Sequence, residues 1–518
     1  MFFKSFFSKH GLHLDLFLFF FACFLLFANG HFGGDGLENY LTAESIVLDK
    51  DISIHTRAFD VKEVRYEVRG PGDQEGRHYA NSGLGMPLLL TPFYLVGHVI
   101  SKFAAFVPAG YITQFTVSFF NPFVTALIAL ILFVFLSELG FSRANSFYTV
   151  VCFAFCTMVL AYTRSGFSEP AVTLLVLAAC LFLFRSSVKF PLKNIFFAAC
   201  CIGFTLLIKN NSYLNFLLFF IILIRFSADI KNKVLLWKVW SVAVSAIVIF
   251  AAVYFLTKEF CGMTLKDNVT ELASKGLTPG NRFFKGLYYY LLSPGKSLVL
   301  YNIPLILAAL SFRNFAKRNR PVFFMIACVV LGHLLFYSFK FVRGSLFSWG
   351  PRYLYTLVPF VSIFLAQYLE DAGQKKGRHF IFRIVCVLSF LVYFPVLIVN
   401  ISSYLFFIRD GLKLPEYLVN FVPELSPLCG NWIILLSAFN KLFLGASLNF
   451  SYNPDFCFIS PIIQSLQGFD MPDVWWFNVI RIVPKLLPVV ILSVAILLFL
   501  MVTTFIKIKK LILAGEQA

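Results

Sequence analysis

LDLFLFFFACFLLFANGHFGGDGLENY, residues 14–40, passes from an apolar run straight into a glycine-rich turn that carries Asp35 and Glu38. The apolar part, taken from residue 12 to residue 29, has the length a helix needs to cross a bilayer core. Gly33, Gly34 and Gly36 then let the backbone turn tightly and approach a ligand closely. What two carboxylates meet on leaving a membrane segment depends on the side on which they emerge.

Similar runs recur along the whole chain. Its 518 residues are 59% hydrophobic and 14% charged, with a mean hydropathy of +0.80. A soluble domain is nearer half apolar and about a quarter charged. The sequence therefore reads as an all-α polytopic membrane protein. About 12 spans are expected, at 12–29, 115–137, 145–162, 169–186, 192–208, 211–226, 237–256, 298–312, 321–339, 353–369, 380–400 and 486–507. The 67 Phe need no functional explanation, because any large apolar residue serves a lipid-facing surface. The N-terminal run has no A-x-A cleavage site and is read as a retained signal-anchor.

A net charge of +18 would suit nucleic acid, but the Lys and Arg fall in short clusters between apolar runs, which is a topology signal. With residues 84–104 outside the count, Lys4 and Lys9 share one side with the clusters around Arg143, Arg185–Lys193, Arg225–Lys238, Arg313–Arg320, Lys375–Arg383 and Lys507–Lys510. That side is cytoplasmic, with both termini on it. Residues 84–104, broken by Pro87 and Pro92, read as a helix in the outer interface. The periplasmic or exterior side receives 30–114, 163–168, 209–212, 257–297, 340–352 and 401–485. The expected organisation is a transmembrane catalytic module over 1–400, an outward C-terminal region over 401–485, and a last span and tail over 486–518. Most of the 11 Cys lie inside apolar runs, and no CxxC or HExxH metal signature occurs. A Cys429–Cys457 disulfide suits an oxidising outer side.

The polar chemistry gathers on that outer side. Asp35 and Glu38 are one candidate, with an ordinary helix cap plus an interfacial acid as the alternative. Glu169 in TRSGFSEP (163–170) is another; there it is either a partner of the helix dipole or a second active-site acid, while Arg164 equally suits lipid headgroups. Lys209 ends one span with the next beginning almost at once. Lys296 sits in SPGKSLVLY (293–301), and Arg352 in SWGPRYL (348–354) beside Tyr353. Taken singly, each cation is explained by snorkelling to lipid phosphates. Three on one face, opposite two acidic sites, point instead to a phosphate-bearing ligand. His98 and His333 read as packing residues.

DG-x-E-x-Y (35–40) directly after the first span, followed by the stretch from Tyr79 to Pro87 and by RSGFSEP (164–170), resembles the GT-C superfamily, integral-membrane glycosyltransferases that use polyprenyl-phosphate-linked sugars. Protein-mannosyltransferase-like and aminoarabinose-transferase-like enzymes are the branches it is most similar to. SPGKSLVLYNIP (293–304) and SWGPRYLYTLVPF (348–360) look like motifs of bacterial branches, and the resemblance covers most of 12–370. It implies that Asp35 is the catalytic base and Glu169 a second catalytic acid. The substrate-binding candidates are Glu38, Tyr40, Arg164, Lys209, Lys296, Arg352 and Tyr353, with Lys209, Lys296 and Arg352 taken from their placement and local motifs. In the family the second acid sometimes helps hold a divalent cation, so Mg or Mn is the cofactor the resemblance allows; Gly36 stands where the common motif has an adjacent acid, and no metal ligand is assigned. The expected partners are a polyprenyl-phosphate sugar and an envelope acceptor (lipid, glycan or protein), without nucleic acid. The expected location is a bacterial inner membrane with the active site facing the periplasm. A transporter or flippase of lipid-linked saccharides, or an O-antigen-type polymerase, is the competing reading; a transporter would tend to show inverted repeats and broken charged helices.

Overall fold

The computed structural model describes residues 2–31, 35–54, 79–80, 83–104, 106–187, 191–228, 230–260, 279–340, 348–373, 375–400, 404, 408, 417–444 and 472–516; of Asp35 it describes the backbone alone. Among these residues regular structure is helical. In chain order the helices begin with α1 (Phe2–Leu26), α2 (Asp35–Leu48), α3 (Gly85–Phe103), α4 (Ala109–Val117), α5 (Phe120–Glu138), α6 (Arg143–Phe155), α7 (Val159–Tyr162) and α8 (Glu169–Ser186). They continue with α9 (Pro191–Ile208), α10 (Tyr213–Ser227), α11 (Lys233–Phe260), α12 (Pro279–Leu291), α13 (Leu305–Ala309), α14 (Phe312–Arg318) and α15 (Arg320–Lys340). The last are α16 (Leu357–Ala372), α17 (Lys376–Tyr393), α18 (Leu418–Phe421), α19 (Pro427–Leu444), α20 (Trp475–Ile482) and α21 (Leu487–Glu516).

Among the described residues eight stretches are long and apolar enough to cross a bilayer, and Gly11–Leu26, Tyr213–Ser227 and Pro427–Leu436 are shorter apolar helices. The chain is a multi-pass all-α membrane protein. Its centre is α16, whose residues from Leu357 to Leu369 are buried on every face. A helix apolar all round belongs in such a position. Around it α6, α13 and α15 pack, α1 lies along α21, and α8 and α11 flank α9.

The expected boundaries fail at two places. The expected span 145–162 is broken between α6 and α7. Asn302 Oδ1 accepts the Met158 N–H at 3.1 Å and Thr157 Oγ1 donates to Phe153 O at 2.6 Å, so side chains take backbone partners a continuous helix would use. The expected span 298–312 is a string of turns followed by α13 and α14. Tertiary bonds replace the helical ladder there, Gly295 N to Asn420 O (3.0 Å) and Leu298 N to Tyr290 O (2.7 Å), and Pro304 has no N–H to give. Residues 85–103, expected as an interfacial helix, are one of the eight stretches with the length and apolarity of a span.

One end of the bundle collects the positive loops. Arg185 forks onto Glu138 with Nε 3.0 Å from each carboxylate oxygen, Arg318 donates to Gly140 O at 2.8 Å, Asn145 to Glu370 at 2.7 Å and Asn314 to Asp371 at 2.7 Å. The other end holds Glu169, Lys209, Lys296 and Arg352. There α2, α3 and α4 pack together, and the backbone of Gly83 and Gly85 lies directly on Leu207, two residues before Lys209.

Candidate active site

Glu169 opens α8, ahead of Pro170 in a first turn that needs no proline N–H. Its side chain is 5% exposed. Two cations from distant loops reach the same carboxylate oxygen, Oε1: Lys209 Nζ donates to it, and Arg352 Nε donates at 2.7 Å. Among the described residues Oε2 has no hydrogen-bond partner although it is buried. Lys209 can reach because α9 stops at Ile208; the lysine itself is extended (φ −148°, ψ 127°) and a 3-10 turn, Asn210–Ser212, reverses the chain. Arg352 can reach because Pro351 starts a second 3-10 turn, Arg352–Leu354.

Aromatic faces hold the cations in place. Lys209 Nζ lies 4.8 Å from the Tyr353 ring centroid, and the Arg352 guanidinium 4.1 Å from that of Phe167 and 5.5 Å from that of Tyr353. Tyr353 stacks on Tyr337 at 5.1 Å and 11°. Lys296 is fully buried nearby and donates to Ser348 O (2.7 Å) and Ser348 Oγ (2.9 Å). Burial, with the Arg352 charge adding to it, holds its ammonium well below the usual lysine range. Among the described residues two cations share this one carboxylate.

The loop between α7 and α8 brings the first acidic motif to this place. Asn121 Nδ2 holds the carbonyls of Ser165 and Phe167, the latter at 3.0 Å. Gly36 packs on Gly166 so closely that a Cβ at Gly36 would stand 2.8 Å from the Gly166 Cα. The start of α2, and with it the Asp35 backbone, is therefore beside the loop that leads to Glu169. Glu38 is buried on α2. Tyr40 points elsewhere: its hydroxyl is 2.7 Å from Thr113 Oγ1, and its ring is 5.7 Å from that of Tyr94, whose hydroxyl bonds the buried Glu44 at 3.0 Å.

Arg164 also points away from Glu169. Its guanidinium donates to the Asp473 carbonyl and lies 3.3 Å from the Asp473 carboxylate, whose other oxygen is 2.8 Å from His31 Nε2 and 3.1 Å from Asn478 Nδ2. Burial lowers the Arg164 pKa from its ordinary value, against the opposing effect of Asp473. Burial alone would raise Asp473; the His31 hydrogen bond and the Arg164 charge outweigh it and hold the carboxyl below its ordinary value. Trp475 and Trp476 add indole bonds to Leu25 O (2.8 Å) and Leu26 O (3.1 Å), fixing this segment to the end of α1. Beside it a cavity of about 790 Å³ is lined by apolar residues of α3, α4, α20 and α21, with His31, Asn400 and Asp473 among its polar residues.

Structure thus gathers Glu169, Lys209, Arg352 and Tyr353, with Lys296 buried close by, and separates Tyr40 and Arg164 from them. Sequence reading passed over Asp473, His31, Asn121 and Ser348. A lone Asp within MPDVWW (471–476) was a signal in plain view, since an acid between a proline and two tryptophans suits a buried corner. Asn121 and Ser348 carried none. His98 stacks on Tyr94 and His333 bonds its own helix at Val329 O (2.9 Å), as packing residues do. Cys457 lies outside the described residues, so the expected Cys429–Cys457 pairing does too. Around Glu169 the described side chains offer a divalent cation one free carboxylate oxygen flanked by two cations, which is not the multi-oxygen donor set Mg or Mn requires.

No protein-family profile and no curated protein sequence matches the chain. Two solved structures are similar to it at low identity. One is ArnT from Cupriavidus metallidurans in the apo state, 12% identical with a TM-score of 0.46, covering 97% of this chain and 76% of that one. The other is ArnT from Cupriavidus metallidurans bound to undecaprenyl phosphate, 12% identical with a TM-score of 0.45, covering 98% of this chain and 77% of that one.

Proposed function

We propose that the protein is a glycosyltransferase that moves a sugar from a polyprenyl-phosphate donor to an envelope acceptor at the outer face of a bacterial inner membrane, with inversion. The observation that carries this reading is the buried cluster in which Lys209 and Arg352 both grip Oε1 of Glu169. Two cations held on aromatic faces attract a phosphate and neutralise the charge that grows on it as it leaves. Oε2 of Glu169, buried and without a partner among the described residues, has the capacity to accept a hydrogen bond from a sugar or acceptor hydroxyl.

In the proposed step the acceptor oxygen attacks the anomeric carbon, and the bond from that carbon to the phosphate oxygen breaks. Polyprenyl phosphate departs with the electron pair toward Lys209 and Arg352. Asp35, whose backbone is next to Gly36 and its contact with Gly166, takes the hydroxyl proton. Lys296 and Tyr353 bind the donor head. The donor tail stays among apolar surfaces of the bilayer core. The positive loops at the opposite end support a cytoplasmic location for both termini by the positive-inside rule.

The same cation cluster would also suit a flippase, and one experiment separates the two. Wild type and Asp35→Asn are incubated with a panel of polyprenyl-phosphate sugars and envelope extract, with and without EDTA. Transfer predicts that wild type consumes one donor while Asp35→Asn binds that donor without consuming it. Equal turnover by both would remove Asp35 from catalysis; lipid translocation in liposomes without sugar consumption would establish the flippase reading.

A further inference from the structure

Three thiols converge inside the bundle, apart from the Glu169 cluster. Cys152 and Cys156 stand one turn apart at the end of α6, and Cys386 comes from the middle of α17. Their sulfur atoms all lie within 4.8 Å of one another. Cys152 and Cys156 are buried and Cys386 partly so. The Cys156 thiol donates to Cys386 O at 3.4 Å, which joins two segments 230 residues apart. Nothing in the proposed transfer uses any of them.

We infer that Cys152, Cys156 and Cys386 form a three-sulfur site for a soft monovalent metal ion of the Cu(I) class. Soft sulfur ligands select Cu(I) and zinc over hard cations. Zinc in closed sites takes four ligands, and no fourth His, Cys, Asp or Glu joins this group among the described residues. Bonds of about 2.3 Å in a plane put the sulfurs roughly 4 Å apart, so the ion needs sub-ångström shifts from the observed positions. Each sulfur coordinates as a thiolate and releases its proton to solvent, so binding weakens as pH falls. No electron is transferred. The site would brace α6 against α17 immediately before the helix break at Cys156–Met158, from which α7 leads to the loop carrying Glu169.

The test uses the full-length protein in detergent under anaerobic conditions, with Cu(I) delivered from a competing chelator. Wild type should take up a single ion per chain, show a near-ultraviolet sulfur-to-copper band, gain thermal stability, and lose alkylation of Cys386. Cys152→Ser and Cys386→Ser should each weaken binding at least about tenfold, and Cys429→Ser, at an exposed thiol, should not. Retained binding in both cluster variants overturns the assignment, as does equal affinity for Zn(II). Should the variants fail to fold, protection of Cys386 in the wild type still decides: unchanged alkylation at saturating Cu(I) overturns it.

Discussion

Glu169→Gln should be among the most damaging isosteric changes in the protein, and the cluster geometry sets its size. The carboxylate is 5% exposed, Arg352 Nε is 2.7 Å from Oε1 and Lys209 shares that oxygen. The side chains of the two cations are only 16% and 12% exposed, so removing the negative charge leaves two poorly solvated positive charges facing each other. Breaking a buried pair in this way costs about 3–5 kcal/mol. Exposure of the cations softens the loss, and an effect near the lower limit of about 3 kcal/mol is expected. Thermal unfolding in detergent, followed by tryptophan fluorescence, measures it. The decisive comparison is a cycle with Lys209→Met. The double variant should be more stable than the sum of the single losses predicts, by roughly 0.5–3 kcal/mol of coupling. Additive losses would refute the ion pair and, with it, the argument that Glu169 positions the phosphate cations. In assays, a positioning role should appear mainly as a raised KM for the donor.

The other predictions concern the elements that support the site. Asp473→Asn should leave Arg164 buried without its counter-charge, at a cost of about 3–5 kcal/mol, read as a lowered Tm. Because the Asp473 pKa is held below its ordinary value in the fold, its stabilising effect is present at neutral pH and is lost as pH falls through its unfolded and then its folded pKa; Tm of wild type minus Tm of Asp473→Asn should shrink below about pH 4. Gly36→Ala should push α2 off Gly166, since the added Cβ would lie 2.8 Å from that Cα, and cost about 1–3 kcal/mol with a larger loss of turnover than of stability. Tyr40→Phe should cost about 1 kcal/mol by removing the bond to Thr113 and leave donor affinity unchanged, in contrast to Tyr353→Leu, which should weaken it.

Composition and the placement of Lys and Arg were enough to establish an all-α membrane chain and to put Asp35, Glu169, Lys209, Lys296 and Arg352 at one end of it. These follow from local physics: apolar length decides where a helix can cross, and charge decides which loops stay on one side. Which of those residues meet was a tertiary question. Nothing local tells Lys209 and Arg352, 143 residues apart, that they share Oε1 of Glu169, or turns Arg164 from Glu169 toward Asp473. The helix breaks at Cys156–Met158 and Ser293–Asn302 were hidden for the same reason. An apolar run reads as a span until a distant group, such as Asn302 or the Asn420 carbonyl, offers the backbone a competing partner. Sequence alone determined that the chain is a multi-pass all-α membrane protein and where its charges gather; only the packing of distant loops decided which charges became a site.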